Sequence, residues 1–406
     1  MKKKLSLLLT TVLAVSLLAG CGNKEAATNT KPEEGKKEVK LAQGVSDTEI
    51  KVGTIIASSG NFAMVGQPML KGMQAYFKMV NDAGGVNGKK INLIAKDDGF
   101  QPNMAVQKAE ELLETDKVFA IVGQLGTPGC LATIPKFQEA GIPAVYQGTG
   151  AGKFSTLKGN YFPVQPNYIY EGHLLISYAL EQFKPAKIAI LYQEDDMGKD
   201  ELSGVEDQLK KLGKESLLVA KVPFAPTDLD FTSHIQKVAE QKPDVTIIAG
   251  MQAATPLILK QAKASGLKTQ FMTSYVNADP TVIKNSAGGA TGLVMPAWVN
   301  IVDTKDEKVK EYFDTYKKYN PNDNPNAFTA AGWVAGQVFV EGLKNTKGDL
   351  TWENFIKGME SIKDFNGLAK GVTYTPENRN GVQKMYFMKV KADGALEKVS
   401  DWVEAK

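Results

Sequence analysis

Short apolar runs alternate with longer amphipathic stretches along the chain beyond residue 48. The run 49–56 predicts a strand, and the helix after it is predicted by apolar residues at helical spacing, namely Met69, Leu70, Met73, Phe77 and Val80. Further strands are predicted at 91–94, 118–122 and 143–145, and Pro102 opens a helix between the first two of these. This order is typical of βα units stacked around a parallel sheet.

A second series of the same kind begins with a helix near Tyr168. Helices are predicted near Lys199 and after Thr255, and strands are predicted at 187–192, 216–219, 245–248 and 269–272. About 360 residues make up these two series, which is more than one hydrophobic core usually holds. We therefore expect two α/β lobes, with ligand-binding loops at the carboxyl ends of their strands.

The N-terminal segment combines a basic start, an apolar run and a cysteine. Three lysines precede the run 5–19, and the string LAGC ends at Cys21. The run is short for a membrane span, so we expect residues 1–20 to be a bacterial lipoprotein signal peptide and Cys21 to be the lipidated first residue of the mature chain. An ordinary secretory signal or a hydrophobic anchor is the alternative. Residues 21–47 are polar and predict a flexible linker.

Charge and cysteine content narrow the classes of function. Removing residues 1–20 removes three of the 48 basic residues and none of the 45 acidic ones, so the two signs balance. No basic block remains in the folded part, which argues against a nucleic-acid partner. Arg379 is the only arginine, and Cys130 is the only cysteine besides Cys21. Bound anions must therefore be held by backbone N–H groups, hydroxyls or lysines, and no internal disulfide supports the fold.

Three predicted loops place glycine beside hydroxyl or amide side chains at strand-to-helix junctions. They are 57–63, 123–128 and 146–151. Free backbone N–H groups and the helix dipole favour a carboxylate or phosphate at such junctions. Glycine and serine are also ordinary turn residues. Because parallel strands bring these loops to one edge, we expect them to form one anion-binding site.

Longer motifs occur in a fixed order along the folded part of the chain. The string NDAGGVNGKKI spans 81–91, AGIP spans 140–143 and QAKASGL spans 261–267. Together they resemble the periplasmic binding proteins of the branched-chain amino acid type, from about residue 48 to the C-terminus. The resemblance implies a two-lobed α/β fold, a ligand enclosed in the cleft by hinge closure, and an ATP-driven membrane permease as the partner.

The resemblance also implies how the chain divides. Lobe one would comprise 48–166 and 296–374, and lobe two would comprise 167–295 and 375–406. Three hinge crossings would lie near Pro166, Pro296 and Pro376.

In the family, a hydroxyl residue after the third strand holds the ligand carboxylate, and here Thr127 matches it together with the loop 148–150. Lobe two contributes an aromatic residue, matched by Tyr168 or Tyr170. It also contributes two loops, matched by 194–198 and 250–252.

The sequence departs from the family at the acid that holds the ligand ammonium group. This acid follows the strand that ends here at Met272, but Tyr275 stands in the matching loop and no carboxylate occurs before Asp279. A buried ammonium group without a carboxylate costs several kcal/mol. Either Asp195 or Asp196 replaces the acid, or the ligand has no amine. Aromatic residues could instead line an apolar pocket, although each could also belong to the core.

These observations predict an extracytoplasmic solute-binding lipoprotein of an ABC importer. Its ligand would be a small, apolar, carboxylate-bearing molecule: a branched-chain or aromatic amino acid, or a related organic acid. We expect the ligand-binding residues to be Ser59, Phe62, Leu125, Gly126, Thr127, Gln147, Gly148, Thr149, Tyr170, Asp195, Met251, Tyr275 and Trp298.

We expect no catalysis, cofactor or metal, and a monomer held at the outer face of the cell membrane by its lipid anchor. His173 and His234 lack ligand spacing, and the Ser-x-x-Lys string at 155–158 lacks the partner motifs of penicillin-recognising enzymes. A ligand-sensing receptor component is the first alternative and a hydrolase is the second.

Overall fold

A computed structural model describes residues 41–405, so Cys21, the predicted signal and most of the predicted linker lie outside the described residues. Within that range the strands are β1 (Glu49–Ile55), β2 (Lys90–Lys96), β3 (Ala120–Leu125), β4 (Ala144–Gly148), β5 (Tyr161–Phe162), β6 (Ile188–Gln193), β7 (Leu218–Phe224), β8 (Val245–Ala249), β9 (Gln270–Thr273), β10 (Val294–Ala297), β11 (Tyr386–Val390) and β12 (Leu396–Lys398). The helices are α1 (Ala63–Asp82), α2 (Pro102–Glu110), α3 (Thr127–Ala140), α4 (Lys153–Thr156), α5 (Tyr168–Gln182), α6 (Asp196–Lys211), α7 (Thr232–Gln241), α8 (Thr255–Ser265), α9 (Pro280–Asn285), α10 (Glu307–Tyr319), α11 (Ala327–Asn345) and α12 (Trp352–Glu360). None of these described helices is long and apolar enough to cross a membrane.

The strands form two sheets. The first has the order β2-β1-β3-β4-β5 and is parallel throughout. The second has the order β12-β11-β10-β9-β8-β6-β7, in which β6 to β10 are parallel and β11 and β12 pair antiparallel. Every residue of β3 and β8 is buried, as expected for central strands covered by helices on both faces. Both sheets are therefore covered on their two faces, and the largest hydrophobic cluster of the described residues contains residues of both.

Two of the predicted loops begin later than their glycines suggest. Gln124 and Leu125 pair with Gln147 and Gly148, so β3 and β4 run on through the first residues of both loops. The turn after β3 falls at Gly126, whose φ of +103° suits glycine. The predicted strand at 216–219 also begins later, because a short helical turn occupies Glu215–Leu217.

The chain passes between the two groups of elements three times: after β5, after β10 and after α12. Helix α11 returns to the first sheet, where it packs on α1, β3 and β4. Pro296, which the resemblance places at the second crossing, lies inside β10 and pairs with Phe387 of β11. The second crossing therefore follows Ala297.

Two glycines let α1 and α11 approach backbone to backbone. A Cβ atom at Gly72 would lie 1.9 Å from the carbonyl oxygen of Thr329, and one at Gly332 would lie 1.8 Å from that of Met69. Such distances leave no room for any side chain. The contact joins the 327–345 helix to the first lobe.

Candidate ligand-binding site

A cavity with about 890 Å³ of empty space, partly open to solvent, lies at the carboxyl ends of both sheets. Many of its lining residues lie at or just after the carboxyl ends of β1, β2, β3 and β4 of the first sheet and of β8, β9 and β10 of the second, and others come from α5, α11 and β11. This is the edge at which parallel sheets bind ligands. Eight of the predicted ligand-binding residues line it: Phe62, Leu125, Gly126, Thr127, Gly148, Met251, Tyr275 and Trp298.

One end of the cavity presents hydrogen-bond donors. Backbone N–H groups at the start of α3 lack intrahelical partners, apart from Pro128, which has no N–H, and the first residue of this helix is Thr127. Its hydroxyl lies 2.6 Å from that of Thr149, which also accepts a hydrogen bond from the Ala151 N–H at 3.1 Å. With Thr149 as the donor between the two hydroxyls, the Thr127 proton is available to a ligand. A carboxylate fits this end, because the helix dipole and the free donors favour negative charge.

Aromatic rings form the walls. Phe62 stacks on Phe100 with ring centroids 3.6 Å apart, and Tyr168 stacks on Tyr275 at 5.9 Å. Tyr146 lies beside Trp298 with ring centroids 6.0 Å apart. These pairs give the cavity flat apolar surfaces suited to an aryl or branched alkyl body.

A chain of neutral hydrogen bonds crosses the cavity wall. The Tyr146 hydroxyl donates to the Gln165 side chain at 2.8 Å, and Gln165 donates to the Tyr275 hydroxyl at 2.9 Å. The Tyr275 hydroxyl donates in turn to the carbonyl oxygen of Pro166 at 3.0 Å. Burial raises the pKa of both tyrosines, so their hydroxyls stay neutral.

No lining residue of this cavity carries a charged side chain. Two buried acids lie behind the lining: Asp98, which accepts a hydrogen bond from the Phe100 N–H at 2.9 Å, and Glu171 of α5, behind the loop that follows β9. The Glu171 carboxylate accepts hydrogen bonds from the Tyr275 N–H at 2.6 Å and from the Ser274 hydroxyl at 2.7 Å. Glu171 thus fixes the loop that carries Tyr275 but is not part of the cavity lining.

The other five predicted residues do not line the cavity. Ser59 is exposed and hydrogen-bonds Asp97, and Gln147 is buried within β4. Asp195 caps α6 by accepting a hydrogen bond from the Gly198 N–H at 3.1 Å. Thr149 and Tyr170 border a smaller, polar cavity with about 510 Å³ of empty space.

Sequence reasoning missed several lining residues. Phe100 follows β2, the neighbour of β1, so the rule that ligands bind at strand carboxyl ends could have identified it. Gln165 directly precedes the proposed crossing at Pro166. Tyr146 has a φ of +57°, an uncommon conformation for tyrosine that the sequence does not signal.

In the described part of the chain, no group of side chains is arranged to bind a metal ion or to act as a nucleophile. Residues 41–405 contain no cluster of three potential metal-ligating side chains. His234 lies 3.9 Å from Asp228, and His173 is on α5. Burial raises the pKa of the Cys130 thiol well above its usual range, so this thiol stays protonated and unreactive.

Comparisons with known proteins agree with this geometry. The model of the periplasmic binding protein family matches residues 49–395. A Leu/Ile/Val-binding protein homolog from Brucella suis is 25% identical over 334 residues, which cover 82% of this chain and 87% of that protein. The Leu/Ile/Val-binding protein of Escherichia coli is 24% identical over 311 residues, covering 76% of this chain and 83% of that protein.

Solved structures share the fold. A fatty acid ABC transporter substrate-binding protein from Thermomonospora curvata superimposes with a TM-score of 0.79 at 22% identity, covering 91% of this chain and 95% of that one. The family match spans most of the chain, both parallel sheets are present, and the relatives are solute-binding proteins. The chain belongs to the periplasmic binding protein family.

Proposed function

We propose that this protein is the extracytoplasmic solute-binding component of an ABC importer. It captures a small, apolar, carboxylate-bearing ligand between its lobes and delivers it to a permease without chemical change. The observation that carries the proposal is the cavity itself, which has hydroxyl and N–H donors at the Thr127 end and aromatic walls elsewhere. The names of the relatives support it, since they bind Leu, Ile and Val or belong to fatty acid transport.

A ligand screen by thermal shift tests this function. Purified protein lacking residues 1–20 is heated with amino acids, their deaminated analogues and short fatty acids. A ligand at 100 times its Kd stabilises the folded state by about 2.7 kcal/mol. A raised melting temperature, followed by recovery of the unchanged ligand from the protein, supports solute binding. Recovery of a chemically altered product would show an enzyme instead.

Thr127→Val is expected to weaken carboxylate binding by about 1–3 kcal/mol, because a ligand oxygen loses a donor in a buried site. Thr149→Val is expected to act in the same direction by removing the hydrogen-bond partner of Thr127. Isothermal titration calorimetry with the best ligand of the screen measures both effects. Thr227→Val, at an exposed position of the loop after β7, is the matched control. Unchanged Kd values in both variants would remove this end of the cavity from the site.

We also propose that acyl chains on Cys21 anchor the protein to the membrane, with residues 21–47 as a tether. The observation behind this is the LAGC string after the apolar run. Cys21→Ser is expected to leave ligand affinity unchanged and to release the protein from the membrane or block its processing. Cell fractionation followed by immunoblotting measures the distribution. A variant that stays with the membrane as fully as the wild type would contradict lipidation at this residue.

A further inference from the structure

The loop after β9 places a tyrosine where the family resemblance leads one to expect a carboxylate. Tyr275 is 7% exposed, and its ring stacks on Tyr168. Its single hydroxyl proton is given to the carbonyl oxygen of Pro166, while Gln165 donates to its oxygen. The Tyr275 position therefore contributes a neutral polar group to the cavity.

Three lobe-two carboxylates that could compensate are engaged elsewhere, and Asp98, which lies beside Gly129 of α3, does not line the cavity. Both oxygens of Glu171 hold the backbone of the Tyr275 loop and the Ser274 hydroxyl. Asp195 accepts hydrogen bonds from the Gly198 N–H and the Gln193 side chain, and Asp279 caps α9 through the Thr281 N–H at 2.7 Å. None of the three lines the cavity. The alternative in which Asp195 or Asp196 supplies the missing charge therefore lacks geometric support, since Asp196 is exposed and also does not line the cavity.

The two ends of a ligand meet different conditions in this cavity. A carboxylate finds the free N–H groups and dipole of α3 and the hydroxyl of Thr127. An ammonium group would lose its hydration shell and contact only neutral oxygens of the lining. These contacts stabilise the charge by less than its desolvation costs. An amine on the ligand therefore lowers its affinity for this cavity, whereas an apolar body raises it through contacts with Phe62, Phe100 and Trp298.

Resting on the proposed solute-binding function, we propose that this cavity selects organic acids that have an aryl or branched alkyl body and no cationic amine. Tyr275 is the residue that determines the selection. It fills the ammonium subsite with a ring and a neutral, fully engaged hydroxyl.

Paired titrations test the selection in the purified protein. Isothermal titration calorimetry compares 3-phenylpropanoate with phenylalanine, and 4-methylpentanoate with leucine. The members of each pair differ by the amine alone. We expect the amine-free acid to bind at least 10-fold more tightly in at least one pair, and the amino acid to be the tighter ligand in neither. Tighter binding of the amino acid in either pair would overturn the inference.

Two variants test the role of Tyr275. Tyr275→Asp supplies a carboxylate and is expected to shift the ratio of the two Kd values at least 10-fold toward the amino acid. Tyr275→Phe keeps the ring, introduces no charge and is expected to retain the preference for the acid. Circular dichroism checks that each variant is folded, and the wild-type titrations decide the selection should Tyr275→Asp fail to fold. A folded Tyr275→Asp variant with an unshifted ratio would overturn the assignment to Tyr275.

The outcomes separate this inference from the function on which it rests. Tighter binding of the amino acid in either pair would overturn the selection while leaving solute binding intact. No binding of any amino acid, deaminated analogue or short fatty acid in the thermal-shift screen would overturn both.

Discussion

Replacing Arg379 by alanine is expected to lower the free energy of unfolding by about 3–5 kcal/mol, because it leaves polar partners of a buried cation unpaired. The Arg379 side chain is 1% exposed and forms an ion pair with Glu360 of α12. Its guanidinium also donates to the carbonyl oxygens of Thr375 at 2.6 Å and Gly159 at 3.0 Å. The same group lies 4.5 Å from the ring centroid of Phe162. One side chain thus joins three separate segments of the chain.

Urea unfolding monitored by circular dichroism measures the effect of Arg379→Ala. Lys357→Ala is the matched control, because Lys357 lies on the same helix as Glu360 and forms an exposed ion pair with Glu353. An exposed pair contributes about 0–1 kcal/mol. Arg379→Lys keeps the charge but loses the planar fork of donors, so we expect an intermediate loss. An Arg379→Ala variant that loses no more than the Lys357 control would show that the buried cation contributes little to stability.

The apolar periodicity of the sequence was sufficient to predict the two α/β lobes, because buried parallel strands read as continuous apolar runs. It did not predict β11 and β12. These strands pair antiparallel with each other as a hairpin, and β11 also pairs antiparallel with β10, which is distant in sequence. β11 has five residues and β12 has three, so each leaves only a short local pattern.

The ligand-binding site was harder to predict than the fold, because the direction in which a side chain points matters as much as its residue type. Tyr168 and Tyr170 are two positions apart on one helix, so they point to different faces. Tyr168 lines the cavity, whereas the hydroxyl of Tyr170 bonds the carbonyl oxygen of Gln383 and the N–H of Ala405. Asp195 precedes a helix by one residue, and the preference of aspartate for helix N-caps could have indicated its role.

Lobe two contains two buried glutamates that the sequence alone offers little reason to expect, because glutamate on an amphipathic helix normally faces water. Glu171 of α5 and Glu201 of α6 are both fully buried where these helices pack together. Neither oxygen of Glu201 has a hydrogen-bond partner among the described residues. Burial raises the pKa of Glu201 well above its usual range, and the nearby Glu171 raises it further.

The same pair makes stability depend on pH. Burial raises the pKa of Glu171 to about 8, although its hydrogen bonds with Tyr275 and Ser274 oppose the shift. A carboxyl group whose pKa is raised in the folded state binds its proton more tightly there than in the unfolded chain. Its contribution to stability is therefore complete below the unfolded pKa of about 4.5 and is lost as the pH rises through the folded pKa. We expect the wild-type protein to lose stability between about pH 5 and pH 9.

Glu201→Gln removes one charge of the pair while keeping the shape of the side chain. The variant is expected to match the wild type closely at pH 5, where Glu201 is protonated, and to lose less stability than the wild type as the pH rises, because one of the two groups with a raised folded-state pKa is gone. Thermal unfolding at several pH values measures the difference. Glu206→Gln is the control, since Glu206 lies on the same helix but forms an exposed ion pair with Lys221. Glu201→Gln and wild-type curves that stay parallel from pH 5 to pH 9 would show that the proton of Glu201 is not linked to folding in this range. Divergence of the Glu201 variant alone would identify Glu201, which lies beside Glu171 between α5 and α6, as a source of the pH dependence.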